Sequence, residues 1–250
     1  MAPFLNIAAY RFVPLPDPAA LGAALRDAAQ AQRLRGTLLL APEGLNVVLA
    51  GPPAGVRAWL AALRADPRFA GLPVRQSGSQ TLPFQRLRLK IKAEIIRMDQ
   101  PAIRPAAGRA PAVAPATLAR WLAQGGRDDA GRPVAVLDTR NAFEVDAGRF
   151  TGSIDWRLAR FGDFPAAFAT HRAALDGHTV VSVCTGGIRC EKAALWMRSQ
   201  GLADVLQLDG GILQYFDDTG GRAPGWEGDC VVFDARRALD TALAPAAAAA

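Results

Sequence analysis

One run of residues constrains this chain more than any other: Thr179–Ala194, which reads Thr-Val-Val-Ser-Val-Cys-Thr-Gly-Gly-Ile-Arg-Cys-Glu-Lys-Ala-Ala. Val180, Val181 and Val183 are β-branched and specify a short buried strand that stops at Cys184. Gly186 and Gly187 permit a tight turn, and Glu191–Ser199 has helix-forming composition. Cys184 therefore falls at a strand-to-helix junction, where unpaired N–H groups converge on the loop mouth and favour an anion. Arg189 adds a cation, so the thiol pKa is expected below its free value of about 8.5. In that reading Cys184 and Arg189 are catalytic, and Thr185, Gly186, Gly187 and Ile188 form the active-site loop. The competing reading is an inert buried thiol, since free cysteine is among the most buried residue types. Two glycines and an arginine around it favour the reactive one.

The pattern Cys-x-x-Gly-x-Arg resembles the active loop of rhodanese domains, and the longer Cys184-Thr-Gly-Gly-Ile-Arg-Cys-Glu-Lys-Ala193 is similar to one branch of them, the tRNA uridine-34 hydroxylases. Leu137–Phe143 with Glu144 and Gly148 resembles the first rhodanese strand and its turn. Leu208–Tyr215 and Trp226–Phe233 resemble the end of that branch's catalytic domain. Near the N-terminus, Gly36–Asn46 resembles the branch's first segment, with one departure: Val47-Val48 stands where glycine and threonine are usual, which leaves the turn after Asn46 open.

Three cysteines without a CxxC pair argue against a disulfide framework and a structural zinc site, and two histidines, His171 and His178, against a histidine-based metal centre. No metal is expected. No apolar run reaches the length of a membrane span and the N-terminus lacks a signal-peptide pattern, so the chain reads as cytoplasmic with no membrane partner. Net charge is +6, and it is unevenly placed: the first 100 residues hold 13 Lys/Arg against 6 Asp/Glu, the remainder 16 against 17. The asymmetry points to a polyanion partner for the N-terminal half.

In chain order, the apolar and breaker patterns give a strand at Leu5–Phe12, a helix at Ala19–Gln32, strands at Gly36–Ala41 and Asn46–Ala50 about a Pro42-Glu43 turn, a helix at Gly55–Ala65, and strands at Val74–Gln76 and Phe84–Ile96. The order βαββαβ predicts a ferredoxin-like sheet with both helices on one face, over residues 1–98. Within the last segment Arg86, Arg88, Lys90 and Lys92 alternate with Leu87, Leu89 and Ile91, and so share one side of a strand in a row about 20 Å long. Such a row suits a nucleic-acid backbone. It equally suits an edge strand guarded against aggregation, and the charge asymmetry favours RNA over that reading; no DNA partner is expected.

The four prolines of Met98–Pro115 suggest a linker over 99–115. From 116 to 242 strands and helices alternate: a helix Thr117–Gln124 capped by Thr117, a strand Val134–Asp138, the Cys184 unit, and a strand Val205–Leu208 before a helix through Tyr215. This predicts a rhodanese-like α/β domain with a mainly parallel sheet. Asp138 and Arg140 follow the strand end, as supporting site residues or simply as a pair with each other. Phe161, Phe164 and Phe168 sit at helical spacing and read as core. Residues 243–250 read as a disordered tail.

Two chemistries suit an activated Cys184. One is persulfide sulfur transfer, the activity associated with rhodaneses; a phosphatase ranks third, since its loop is one residue longer. The other, implied by the resemblance, is O2-dependent hydroxylation of the wobble uridine at position 34 in a tRNA anticodon arm, with O2 as co-substrate, no other cofactor, and Cys184 as thiolate or persulfide. A non-catalytic RNA-binding role is the third class. Cys190 either resolves an oxidised Cys184 or packs inward, and Cys230 reads as structural.

Overall fold

The basic N-terminal half is held by the inward residues of its strands, Ile7, Leu38, Leu40, Leu45, Val47 and Leu49, which meet Val56, Trp59, Leu60 and Leu63 of a helix. In the computed structural model, which describes residues 2–246, the chain divides into two compact units, Met1–Arg97 and Met98–Ala250. The first contains β1 (Phe4–Phe12), α1 (Pro18–Ala31), β2 (Arg35–Ala41), β3 (Gly44–Gly51), α2 (Pro53–Arg64), β4 (Arg75–Ser79) and β5 (Leu87–Ile91). Asp17 starts α1 by accepting from the Ala20 N–H at 3.0 Å, with Pro18 in the first turn. The Trp59 indole donates to Leu25 O at 3.0 Å and ties the two helices together.

Strand order in this sheet is β4-β1-β3-β2-β5, antiparallel except that β5 runs parallel to β2. The expected ferredoxin-like arrangement holds for β1 to β4. The final segment, read as one strand over Phe84–Ile96, is instead five residues at the opposite edge. The alternation ends at Lys92, and the Ile95 N–H turns back to donate to Glu43 Oε1 at 2.7 Å. Val47 and Val48 lie in regular register with Leu38 and Thr37, so β3 runs unbroken through the position left open. Leu87 and Leu89 pack on the core, while Arg86, Arg88, Lys90 and Lys92 are exposed.

The second unit contains β6 (Ala112–Val113), α3 (Pro115–Ala123), β7 (Val134–Asp138), α4 (Ala142–Ala147), β8 (Gly148–Phe150), β9 (Ile154–Asp155), α5 (Phe164–His171), β10 (Thr179–Val183), α6 (Ile188–Ser199), β11 (Val205–Leu208), α7 (Gly211–Asp218), β12 (Trp226–Gly228), β13 (Cys230–Val231) and β14 (Ala238–Leu239). Five strands form a parallel sheet in the order β6-β11-β10-β7-β9. β10 is buried along its whole length, at the centre.

Three details differ from the sequence expectation. The proline-rich stretch is not a free tether: Ile103 and Ala110 are buried and Ala112–Val113 pairs with β11. α3 begins two residues before Thr117, with Ala114 at its cap and no side-chain capping bond, because Pro115 already has the backbone angle a first helical residue needs. Of the tail, Leu243 and Ala246 donate to Asp240 O and Ala238 O, each at 3.0 Å, while residues 247–250 lie outside the described residues. Phe161, Phe164 and Phe168 are buried core, as expected. Among the described residues no helix is long and apolar enough to cross a membrane.

Candidate active site

The carboxyl end of β10 delivers Cys184, and the next three residues turn the chain into α6. Gly187 makes that turn with φ 96°, a left-handed angle that favours glycine, and it caps a helix beginning at Ile188 rather than at Glu191. The first N–H groups of the helix consequently point back at the sulfur. The Gly187 N–H donates to Cys184 Sγ at 3.2 Å, and the Cys190 thiol and the backbone N–H groups of Cys190 and Arg189 act to favour its ionised form. Cys184 has no exposed surface, yet its sulfur accepts from the Gly187 N–H.

The opposite side of the loop is fixed by α7. The Ile212 and Leu213 N–H groups donate to Cys184 O at 2.9 Å and Thr185 O at 3.1 Å. Gly211, at φ 71°, lies so close that a Cβ there would stand 2.5 Å from Cys184 O and 2.7 Å from Gly187 N. No other residue fits without moving the loop.

Arg189 is held differently from the sequence reading. Its guanidinium is 6% exposed and makes two bonds to the Glu144 carboxylate, 2.6 and 2.8 Å. Glu144 also accepts from Thr185 Oγ1 at 3.3 Å and from the Asn141 N–H at 3.1 Å. Arg189 therefore contributes its charge to the site while its donors are engaged by Glu144. Asp138 and Arg140 form a second, fully buried pair at 2.7 Å, and Arg140 also donates to Gly148 O at 2.6 Å. Its guanidinium lies 5.3 Å from the Trp226 ring. These two residues support the end of β7, hydrogen-bonded beside β10.

Burial alone pushes the Cys184 thiol up. The Cys190 thiol, the Arg189 charge and the helix N–H groups outweigh it, and bring the group from 9.0 down to about 6. Cys190 is pushed well up, by burial and then by the neighbouring Cys184, so it stays a neutral donor. For Glu144 burial acts upward, but Arg189 holds the carboxyl below its ordinary range. Burial raises Cys230 to about 12.

Thr185, Gly186, Gly187, Ile188 and Arg189 thus gather at Cys184, with Asp138 and Arg140 behind them. Arg86, Arg88, Lys90 and Lys92 belong to the other unit. Sequence reasoning missed Glu144 as a site residue; its carboxylate also accepts from the Asn141 N–H at the start of α4, while the Asn141 side chain makes no capping bond. The one available signal was the need of a buried arginine for a carboxylate. It also missed Gly211 and the donor role of the Cys190 thiol. Among the described residues no group of three or more His, Cys, Asp or Glu is placed to hold a metal ion.

Residues 4–95 match the family described as UPF0176 acylphosphatase-like domain, and residues 116–218 the rhodanese-like domain. The chain is 60% identical to the tRNA uridine(34) hydroxylase of Bordetella avium over 241 residues, covering 96% of this chain and 98% of the relative. It is also 60% identical to the protein of that name from Bordetella petrii, covering 100% and 98%, and 58% identical to that from Variovorax paradoxus, covering 99% and 93%.

Proposed function

The chain belongs to the tRNA uridine(34) hydroxylase family, and on that premise we propose that Cys184 is the nucleophile of an O2-dependent hydroxylation at C5 of the wobble uridine. The observation that carries this reading is the sulfur itself: an acidified thiol held by Gly187 N–H at 3.2 Å and by the start of α6. A thiolate adds to the electron-poor C6 of uracil, and the electron pair it displaces makes C5 an enolate carbon. O2 then forms a C–O bond at C5 and becomes a hydroperoxide after one protonation. A cellular thiol reduces the O–O bond, giving the C5 hydroxyl and water and leaving a disulfide. Loss of the C5 proton expels Cys184 from C6. The balance is one uridine, one O2 and two thiols in, one 5-hydroxyuridine, one water and one disulfide out. The helix N–H groups that hold the thiolate in the free protein stabilise it again as leaving group.

The target base lies in a single-stranded loop and can be turned out at little unpairing cost. Because Cys184 is wholly buried, the exposed Gly186 and half-buried Thr185 must shift to admit it. We assign the anticodon arm as the bound region, the exposed Arg86, Arg88, Lys90 and Lys92 row as a phosphate contact, and the cytoplasm as the location. tRNA carrying 5-fluorouridine at position 34 should form a covalent adduct on Cys184, seen as a mass shift of the Cys184 peptide. Active enzyme that forms no adduct overturns attack at C6.

The same acidified sulfur also suits persulfide transfer. Nucleoside mass spectrometry of tRNA from a deletion strain separates the two: loss of 5-hydroxyuridine derivatives supports hydroxylation, and unchanged nucleosides with lost thiosulfate sulfurtransferase activity support the second reading.

A further inference from the structure

Among the described residues three large apolar side chains are prominently exposed: Ile91 at 41%, Phe143 at 54% and Phe233 at 67%. Single exposed apolar residues are ordinary, but Phe143 and Phe233 come from distant parts of the chain and meet edge to face, ring centroids 6.5 Å apart at 84°. The pair is continuous with the catalytic loop through Phe143. Phe143 adjoins Glu144, which bonds Thr185 and Arg189. Phe233 joins it there through the edge-to-face contact with Phe143.

We propose that Phe143 and Phe233 form a stacking platform beside the loop for an unpaired base flanking the reacting uridine. This rests on the hydroxylase reading. Turning one base into the Cys184 site removes a stacking partner from its neighbours, and a phenyl face replaces it. Aromatic faces accept any base, which suits positions next to the target that differ among tRNAs. The platform carries no charge, so it positions the strand, and phosphate contacts elsewhere supply the salt-dependent affinity.

The test uses the full chain and a fluorescent anticodon stem-loop RNA, intact or abasic at the nucleotide on either side of the target. Alanine at Phe143 or Phe233 should weaken binding of the intact RNA about 5- to 150-fold, the range for one lost base–aromatic stack. An abasic site at one flanking position should weaken wild-type binding similarly, yet weaken Phe143→Ala/Phe233→Ala no further. Phe143→Trp should retain affinity, and its fluorescence should be quenched by intact RNA more than by that abasic RNA. The proposal is overturned if the double variant binds intact RNA as tightly as wild type, if both abasic effects persist in full in the double variant, or if wild type does not bind the RNA. Loss of a co-purifying protein partner with RNA affinity unchanged overturns it too. 5-Hydroxyuridine formation is scored separately: its absence with coupling intact sinks the hydroxylase reading and leaves the platform.

Discussion

Cys184 is shielded from water, and burial alone would keep its proton in place; one thiol, one guanidinium and two backbone N–H groups reverse that outcome. The thiolate is the form favoured as pH rises, so thiolate absorbance near 240 nm should climb through a midpoint near pH 6 and level off by neutrality. Cys190→Ala removes a donor to the charged form and should shift that midpoint upward, while Cys190→Ser keeps a donor and should shift it less. A midpoint unmoved by Cys190→Ala would remove Cys190 from the set that tunes Cys184. Glu144→Gln leaves Arg189 as a buried cation without its carboxylate and should cost about 3–5 kcal/mol in urea unfolding. The sign of its pH dependence follows from the depressed carboxyl: the wild-type contribution is present above the ordinary carboxylate pKa and is lost as pH falls through the lower folded value. Glu144→Gln should show a flatter acid limb. The Cys184–Arg189 spacing was readable because both partners sit on one loop. Glu144 was not, because it lies 45 residues away and nothing in its local sequence points to an arginine on another element.

At the scale of elements, hydrophobic alternation locates strands well and says little about which neighbour they find. Leu87, Leu89 and Ile91 declare an inward face, but nothing in a period of two says that β5 pairs parallel with β2 at the sheet edge. The start of α6 was misplaced by three residues for a related reason: Gly187 caps it through a left-handed backbone angle, not through the Ser, Thr, Asp or Asn side chain that marks most caps. α7 matters for the site through its backbone. Its first N–H groups take the carbonyls of Cys184 and Thr185, which leaves the N–H groups of the loop free to face the sulfur. Gly211→Ala should therefore disturb the sulfur without touching it. The added methyl meets Cys184 O and Gly187 N, and the residue is held at a positive φ, so we expect a loss of about 1–3 kcal/mol in unfolding and a Cys184 midpoint raised toward the free-thiol value. Alkylation kinetics against pH check the second part; a Gly211→Ala protein with the wild-type midpoint would show that α7 does not set the loop's electrostatics.

Across the whole molecule the charge is divided much as the chain is, with the excess of arginine and lysine in the first 100 residues and near balance in the rest. That division was legible from counting alone. The junction was less so, because the prolines of 98–115 suggest a tether, whereas burial of Ile103 and Ala110 and a two-residue strand place the stretch within the second unit. The four exposed side chains of the β5 row test what the charge is for. If they bind phosphates, replacing Arg86, Arg88, Lys90 and Lys92 with glutamine should weaken tRNA binding at low salt. It should also make the plot of log affinity against log salt shallower by about 0.7–0.9 for each phosphate no longer neutralised, about 3 for all four. Cys184 alkylation at pH 7 should be unchanged in the same variant, since none of the four residues belongs to the unit that holds the sulfur. The competing role, protection of an exposed sheet edge, gives the opposite pair of results: tRNA affinity and its salt slope stay at the wild-type value while the variant self-associates in sedimentation velocity. Measuring both on one preparation decides whether the basic half grips the polyanion or only keeps its own edge from pairing.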